Sequence, residues 1–255
     1  MNKKIAVITG ASSGMGQEFA VQFDALFTNM DEIWLIARRR ERMEELAKVL
    51  KTKCRIIDMD VTNAVSMKQF EELLQIAKPQ IRILVNCAGF GLMGSVEKLS
   101  LEEQLSMIKL NCEALMEMTY YCLPYMKANS RIIQLASSAA FLPQENFAVY
   151  AATKSFVLSF SRALNQELKK KKIYVISVCP GPVDTEFFDI AEKYGKTLAV
   201  KKLTMVSAQR VVKQAIRDSY AKKDISVCSL PIQAFLVAGK LLPHKWIFGI
   251  MHLLK

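Results

Sequence analysis

Short runs of aliphatic and β-branched residues alternate along this chain with longer segments of helical period, and that alternation constrains the fold more than any other feature. KIAVIT (4–9) is followed by helical periodicity over 14–28, EIWLIA (32–37) by 40–51, CRIID (54–58) by 63–77 and IRILVN (81–86) by 101–128. RIIQLAS (131–137) leads into 149–171, IYVISVC (173–179) into 207–222, and ISVCS (225–229) comes last. Seven strands separated by helices predict an α/β domain built on a doubly wound parallel sheet with helices on both faces. The strands are apolar at consecutive positions, as a sheet covered on both sides requires. No linker or repeat interrupts the pattern, so residues 1–255 are expected to form a single domain. Ligands of such sheets bind beyond the carboxyl ends of the strands, where the strand order reverses. Functional residues should therefore lie just after each run.

Immediately after the first strand stand Gly10, Ser12, Ser13, Gly14, Met15 and Gly16, opening a helix. Glycines let a backbone approach a pyrophosphate, and a helix N-terminus offers free N–H groups and a favourable dipole. This is the dinucleotide-binding layout of a Rossmann fold, with residues 1–90 as its mainly cofactor-binding part. The second strand ends without the carboxylate that would hold a ribose 2′-hydroxyl; Arg38, Arg39 and Arg40 stand there instead. A guanidinium forms charge-assisted bonds to phosphate, so NADP(H) is expected rather than NAD(H), with Arg38 and Arg39 on its 2′-phosphate. Asp60 and Val61 follow the third strand, where a carboxylate can accept from an adenine amino group. Thr62 or Asn63 is better placed than Asp60 to cap the next helix. Asn86, Ala88 and Gly89 end the fourth strand, small enough there for a nucleotide to lie against the backbone.

The second half, 111–185, is expected to carry the chemistry. Ser137 ends the fifth strand, and thirteen residues later Tyr150 opens a helix that also carries Lys154. Residues four apart share a helix face, so the ammonium should approach the phenol and lower its pKa from about 10 toward a working range. Tyr150 is then the proton-transferring residue, Ser137 donates a hydrogen bond to the substrate oxygen, Lys154 also holds the nicotinamide ribose, and Asn111 anchors a water linking Lys154 to solvent. Its neighbour Ser138 offers the same hydroxyl, and Ser137 is preferred because its interval to Tyr150 is similar to that of a known enzyme family.

TGASSGMG, NCAG, Asn111, Ser137, YAATK and PGPVDT together resemble the pattern of the short-chain dehydrogenase/reductase family, from residue 5 to about 190. The resemblance implies that Pro180, Gly181, Val183 and Thr185 meet the nicotinamide end of the cofactor, and that 186–200 form a mobile substrate lid. Three residues depart from the pattern: Cys87 replaces a second Asn, Phe141 stands where Gly often occurs, and the glycine loop lacks a basic residue. Phe187, Phe188, Ile190 and Tyr194, with Phe90, Leu92, Met93 and Phe141, suggest a bulky apolar ketone or alcohol, steroid or bile-acid in type. A 3-oxoacyl reductase uses the same residues, and a non-catalytic NADP(H) sensor would need only the first half.

The formal charge of +11 favours anionic partners without choosing among them, and the Lys169–Lys172 run reads as a solvated helix end rather than a nucleic-acid patch. Six scattered cysteines without a CxxC pair read as reduced, mostly buried residues, and no metal is expected. Four apolar residues before the glycine loop do not make a signal-peptide core, so a cytoplasmic protein is expected. In the tail 230–255, Phe235, Ala238, Leu241 and Leu242 form one stripe and Trp246, Ile247, Ile250 and Leu254 another. Those stripes could dock on the core, seal a homodimer or homotetramer, or lie on a membrane surface beside Lys240, Lys245 and Lys255.

Overall fold

The computed structural model describes residues 2–195 and 205–241. Among the described residues there are nine strands: β1 (Lys4–Thr9), β2 (Glu32–Ala37), β3 (Cys54–Asp58), β4 (Gln80–Asn86), β5 (Met126–Leu135), β6 (Tyr174–Val178), β7 (Val183–Asp184), β8 (Val206–Ser207) and β9 (Ile225–Ser226). Seven of them form one sheet in the order β3-β2-β1-β4-β5-β6-β9, parallel at every pairing, while β7 and β8 pair with each other outside it. The doubly wound seven-stranded sheet expected from the sequence is present. Its order reverses between β1 and β4, which opens a crevice above their carboxyl ends.

Successive residues of each strand face opposite layers. Ala6, Ile8, Ile33, Leu35 and Val85 pack with Phe19 and Phe23 of α1 (Gly14–Leu26), Met43 of α2 (Arg40–Val49) and a helix over Ala208–Tyr220. Ile5, Val7, Trp34, Ile36 and Leu84 pack on the other side with Phe70 of α3 (Ala64–Ala77) and helices further along the chain. Asn63 caps α3 by accepting from the N–H groups of Val65 and Ser66, as its position suggests.

The segment read as one helix over 101–128 is divided. It comprises α4 (Leu101–Ile108), a π-helical turn (Lys109–Ala114), α5 (Leu115–Cys122) and a short 3₁₀ turn (Leu123–Tyr125), after which β5 already begins at Met126. Pro124 at the start of the 3₁₀ turn cannot donate to an α-helical ladder, so the helix ends there. The remaining helices are α6 (Ala148–Glu167), α7 (Phe187–Ala191), α8 (Ala208–Tyr220) and α9 (Leu230–Leu241).

The described part of the tail docks on the core, by a different stripe from the one expected. Ile232 lies against Gly181, Phe235 lies 6.4 Å from the ring of Phe141, and Gly239 approaches the backbone of Phe141, so the contacting positions are 232, 235 and 239. Leu241, placed on the Phe235 stripe by the sequence, is exposed together with Leu230 and Val237. The second stripe and residue 242 lie outside the described residues. Among the described residues, no helix is long and apolar enough to cross a membrane.

At the other edge of the sheet a carboxylate is buried. Glu32 is 2% exposed and accepts from Lys3 Nζ at 2.6 Å and Trp34 Nε1 at 3.0 Å, while Arg55 lies 4.9 Å over the Trp34 ring. Burial alone would push its carboxyl up, but the hydrogen bonds and the charges of Lys3 and Arg55 hold it below the ordinary value of 4.5. Its contribution to stability is therefore complete above that value and is lost as pH falls through the lower folded one. We expect Glu32→Gln to destabilise the fold by roughly 1–3 kcal/mol in urea denaturation at pH 7. The difference from the parent should shrink as the pH approaches 3.

Candidate active site

The two halves of the crevice are joined by backbone contacts that require small residues. Gly10 has φ +68°, and a Cβ there would lie 2.9 Å from the amide nitrogen of Ala88. Only glycine fits such an approach without strain. Thr9 Oγ1 accepts from the N–H groups of Cys87 (3.0 Å) and Ala88 (3.1 Å), tying the end of β1 to the loop after β4. Gly16 is buried in the first turn of α1 and Met15 packs toward the core.

Among the described residues, no side chain caps the N-terminus of α1 and no acid stands in its first turn, which leaves its N–H groups facing the crevice. Those amides and their dipole are the elements of an anion cradle. Arg39 supplies the basic group that the loop lacks in sequence. Its Nε donates to Ser12 Oγ at 3.2 Å and one terminal nitrogen donates to Ser13 Oγ at 2.6 Å. The other terminal nitrogen donates to Glu186 at 2.9 Å. Arg38 is mostly exposed and stands 3.8 Å from Asp60. Asp60 also accepts from the N–H and hydroxyl of Thr62 at 2.8 and 2.7 Å, which fixes its carboxylate beside the buried Val61. Asn86 points into the protein instead: its amide donates to Thr119 and Gln134, each at 2.9 Å, so only its backbone borders the crevice.

On the far side, the loop after β6 closes onto the glycine loop. A Cβ on Gly14 would lie 3.3 Å from the Thr185 methyl, Val183 is buried, and the carbonyl of Pro180 accepts from Ser138 N–H at 2.8 Å. Gly181 is covered by Ile232.

Asn111 sits in the π-helical turn, a distortion that re-aims side chains and recurs at functional positions. Fully buried, it donates to the carbonyl of Phe90 (2.8 Å) and to Thr153 Oγ1 (3.0 Å) and accepts from Phe90 N–H (3.1 Å). A Cβ on Gly89 would lie 2.9 Å from Asn111 Oδ1 and 3.4 Å from Lys154 Nζ, so these three residues converge. Lys154 is buried and donates to the carbonyl of Leu135 at 2.7 Å. The ring of Tyr150 stacks on that of Phe147 (4.3 Å) and contacts that of Phe187 (5.5 Å), with Lys154 Nζ 5.6 Å from its ring centre. Ser137, whose hydroxyl accepts from Ala139 N–H at 3.1 Å, also reaches the phenol.

The electrostatics differ from the expectation that Lys154 lowers the pKa of Tyr150. Burial pushes the Tyr150 phenol up to about 12, and the hydrogen bond from Ser137 only partly opposes this. Burial likewise pulls the Lys154 ammonium down to about 8, against the opposing influence of Cys87, Cys112 and Cys179. Both groups thus favour their neutral forms relative to water because the chamber is apolar. Leu92, Met93, Leu99, Met107 and Ala191 form its buried wall, and Phe90, Phe187 and Phe188 pack against it. Ile190 and Tyr194, expected in the cover, are exposed.

The chain matches the profile of the short chain dehydrogenase family over residues 4–194. It is 32% identical over 187 residues to an uncharacterized oxidoreductase of Staphylococcus epidermidis, covering 72% of this chain and 80% of that protein. A short-chain dehydrogenase from Sphingobium yanoikuyae in complex with NADPH superposes with a TM-score of 0.80 at 24% identity, covering 98% of this chain and 95% of that one. The bulky-bulky ketone specific alcohol dehydrogenase of Comamonas testosteroni gives 0.74 at 25% identity, over 90% and 88% of the two chains.

The depressed Lys154 value has a measurable sign. Between about 8 and 10.5 the unfolded chain holds a proton that the folded one has released, so the fold gains stability as pH rises through that window. Relative to Lys154→Met, the parent should gain roughly 2 kcal/mol between pH ~8 and ~10 in denaturant titrations. Parallel curves for the two proteins would mean that the ammonium is solvated.

Proposed function

The chain belongs to the short-chain dehydrogenase family and is an oxidoreductase, and from that footing we propose that it interconverts a ketone and a secondary alcohol on a bulky apolar substrate with NADP(H). The observation that carries the reading is a buried phenol within reach of a serine hydroxyl in an apolar chamber, with a lysine ammonium 5.6 Å from its ring centre. A carbonyl oxygen placed against Ser137 and Tyr150 would receive one hydrogen bond and one proton. Tyr150 is the proton donor in reduction and, as phenolate, the acceptor in oxidation. Lys154 supplies the charge that the phenolate requires, and Asn111 holds Gly89–Phe90 and Thr153 in place beneath it. The apolar walls exclude water from the proton transfer.

The crevice fits a dinucleotide. The uncapped N-terminus of α1, with Gly10, Ser12, Ser13 and Gly14, suits the pyrophosphate, while Asp60 and Val61 suit the adenine. The backbone of Asn86, Ala88 and Gly89 lines the nucleoside, Lys154 suits the nicotinamide ribose, and Pro180, Gly181, Val183 and Thr185 suit the nicotinamide end. When bound, the cofactor supplies or accepts the hydride. Arg39 supports the 2′-phosphorylated form, because its guanidinium already spans Ser12 and Ser13 and Arg38 stands beside it. The S. yanoikuyae structure holds NADPH and the C. testosteroni enzyme is specific for bulky ketones, and both support this reading. Ser137, Tyr150, Lys154 and Asn111 support turnover, since a binding-only sensor would need none of them.

Steroid, bile-acid, 3-oxoacyl and simple aldehyde substrates should be compared by following NADPH and NADH oxidation. We expect turnover of a bulky apolar ketone. Preference for 3-oxoacyl thioesters would instead assign a fatty-acyl reductase. Tyr150→Phe should lower kcat by about 10²–10⁴-fold, and an active Phe variant would refute the proton-transfer role. Replacing Arg38 and Arg39 by Ala should raise KM for NADPH at least about tenfold more than KM for NADH, the loss expected of a charge-assisted phosphate contact. Gly89→Ala should cost about 10²-fold in kcat/KM with unchanged circular dichroism, because the new methyl displaces Asn111 and Lys154.

A further inference from the structure

The strap from Thr185 to Gly195 runs over the chamber and is tied at both ends. At its far end Lys193 Nζ and Tyr194 Oη donate to Glu103 at 3.1 and 2.9 Å, and midway Met93 N–H donates to the carbonyl of Ala191 at 2.9 Å. At its near end Glu186 accepts from Arg39 at 2.9 Å and from Arg42 at 2.5 Å. The next residue is Phe187, whose ring lies 5.5 Å from that of Tyr150. One guanidinium therefore connects the serines of the glycine loop to the segment that covers the phenol.

Resting on the NADP(H) reading, we propose that Glu186 is a specificity-determining latch: a 2′-phosphate bound by Arg39 and Arg42 takes the place of its carboxylate, freeing the near end of the strap and uncovering Tyr150. Of the five N–H groups of Arg39, one goes to Ser12, one to Ser13 and one to Glu186, and the terminal nitrogen bonded to Glu186, beside Arg42, is where a phosphate would compete with the carboxylate. A carboxylate and a phosphate would compete for the same N–H groups of Arg39 and Arg42, and the repulsion of their like charges adds to that competition. The hydrogen bonds from Arg39 and Arg42 hold the Glu186 carboxyl below its ordinary range, so it is ionised at neutral pH and that repulsion is present. The exchange favours phosphate. Both Arg39 and Glu186 are 44% exposed, and an ion pair so solvated contributes little, whereas a phosphate brings more charge and more acceptor oxygens to the same donors. A nucleotide without the 2′-phosphate leaves the pair intact and the strap down. Arg42, on α2, thereby joins Arg38 and Arg39 in the phosphate site, although it lies past the strand end where such residues are sought.

The test uses the full chain with adenosine 2′,5′-bisphosphate and adenosine 5′-monophosphate, which differ only in the 2′-phosphate. Binding is followed by calorimetry, and release of the strap by chymotryptic cleavage after Phe187 and Phe188, identified by mass spectrometry. The bisphosphate should accelerate cleavage there and the monophosphate should not. Glu186→Gln should be cleaved at the accelerated rate without nucleotide and bind the bisphosphate roughly fivefold more tightly, with monophosphate affinity unchanged. Arg42→Ala leaves the sequence around the cleavage site intact and should also raise cleavage in the absence of nucleotide. If the bisphosphate binds more tightly than the monophosphate but cleavage is the same with and without it, the latch is refuted and the NADP(H) reading stands. If the two nucleotides bind equally, both readings fall.

Discussion

Burying the ammonium of Lys154 is the constraint around which the candidate site is arranged. A cation removed from water needs a compensating partner, and here it is the carbonyl of Leu135 at the end of β5 rather than a carboxylate. That choice fixes the relation between β5 and α6. It also demands space on the β4 side, where Gly89 leaves room for both Lys154 Nζ and Asn111 Oδ1. Asn111 can stand there because the helix after β4 takes a π-helical turn, and its amide then holds Phe90 and Thr153. A single desolvated charge thus sets the positions of three elements that meet above the sheet.

The fold was legible because a parallel sheet covered on both faces needs continuous apolar strands, and each of these has one. Glycines and serines after β1, small residues after β4 and the spacing from Ser137 to Lys154 were legible for a related reason. Parallel strands deliver all their carboxyl ends to one edge, so position in the chain already implies position in the crevice. What stayed hidden depends on contacts between distant segments. The division of the 101–128 helix turns on Pro124 and on a π-turn that periodicity does not reveal. Asn86 looked like a crevice residue, yet its amide finds Thr119 and Gln134 across the interior. Arg39 rather than Arg38 reaches the glycine loop because the backbone at the start of α2 directs it, and Glu186 meets it from 147 residues away. No local pattern in the sequence joins those two.

The same distinction applies to the tail. Its helical stripe was visible, but which face docks is decided by the cleft between Gly181 and Phe141, into which Ile232 and Phe235 fit. Phe141 follows Ser137 by one 3₁₀ turn. Through that turn α9 abuts the segment bearing the serine, so packing far along the chain supports the hydroxyl that faces Tyr150.

The raised phenol value of Tyr150 bears on how the proposed reaction is driven. An apolar chamber stabilises the neutral phenol, which suits a proton donor during carbonyl reduction but opposes the phenolate needed for alcohol oxidation. The group that can redress this balance is Lys154, whose ammonium is held 5.6 Å from the ring centre by the Leu135 carbonyl. Any movement that brings the ammonium closer to the phenol oxygen strengthens the phenolate at the expense of that carbonyl bond. Phe147 and Phe187, packed against the ring, keep water from doing the same work. Acidity at Tyr150 is thus set by burial against the hydrogen bond from Ser137, while the carbonyl of Leu135 holds the Lys154 ammonium back from the phenol. The strap adds to that burial through Phe187, which packs against the cluster around Tyr150.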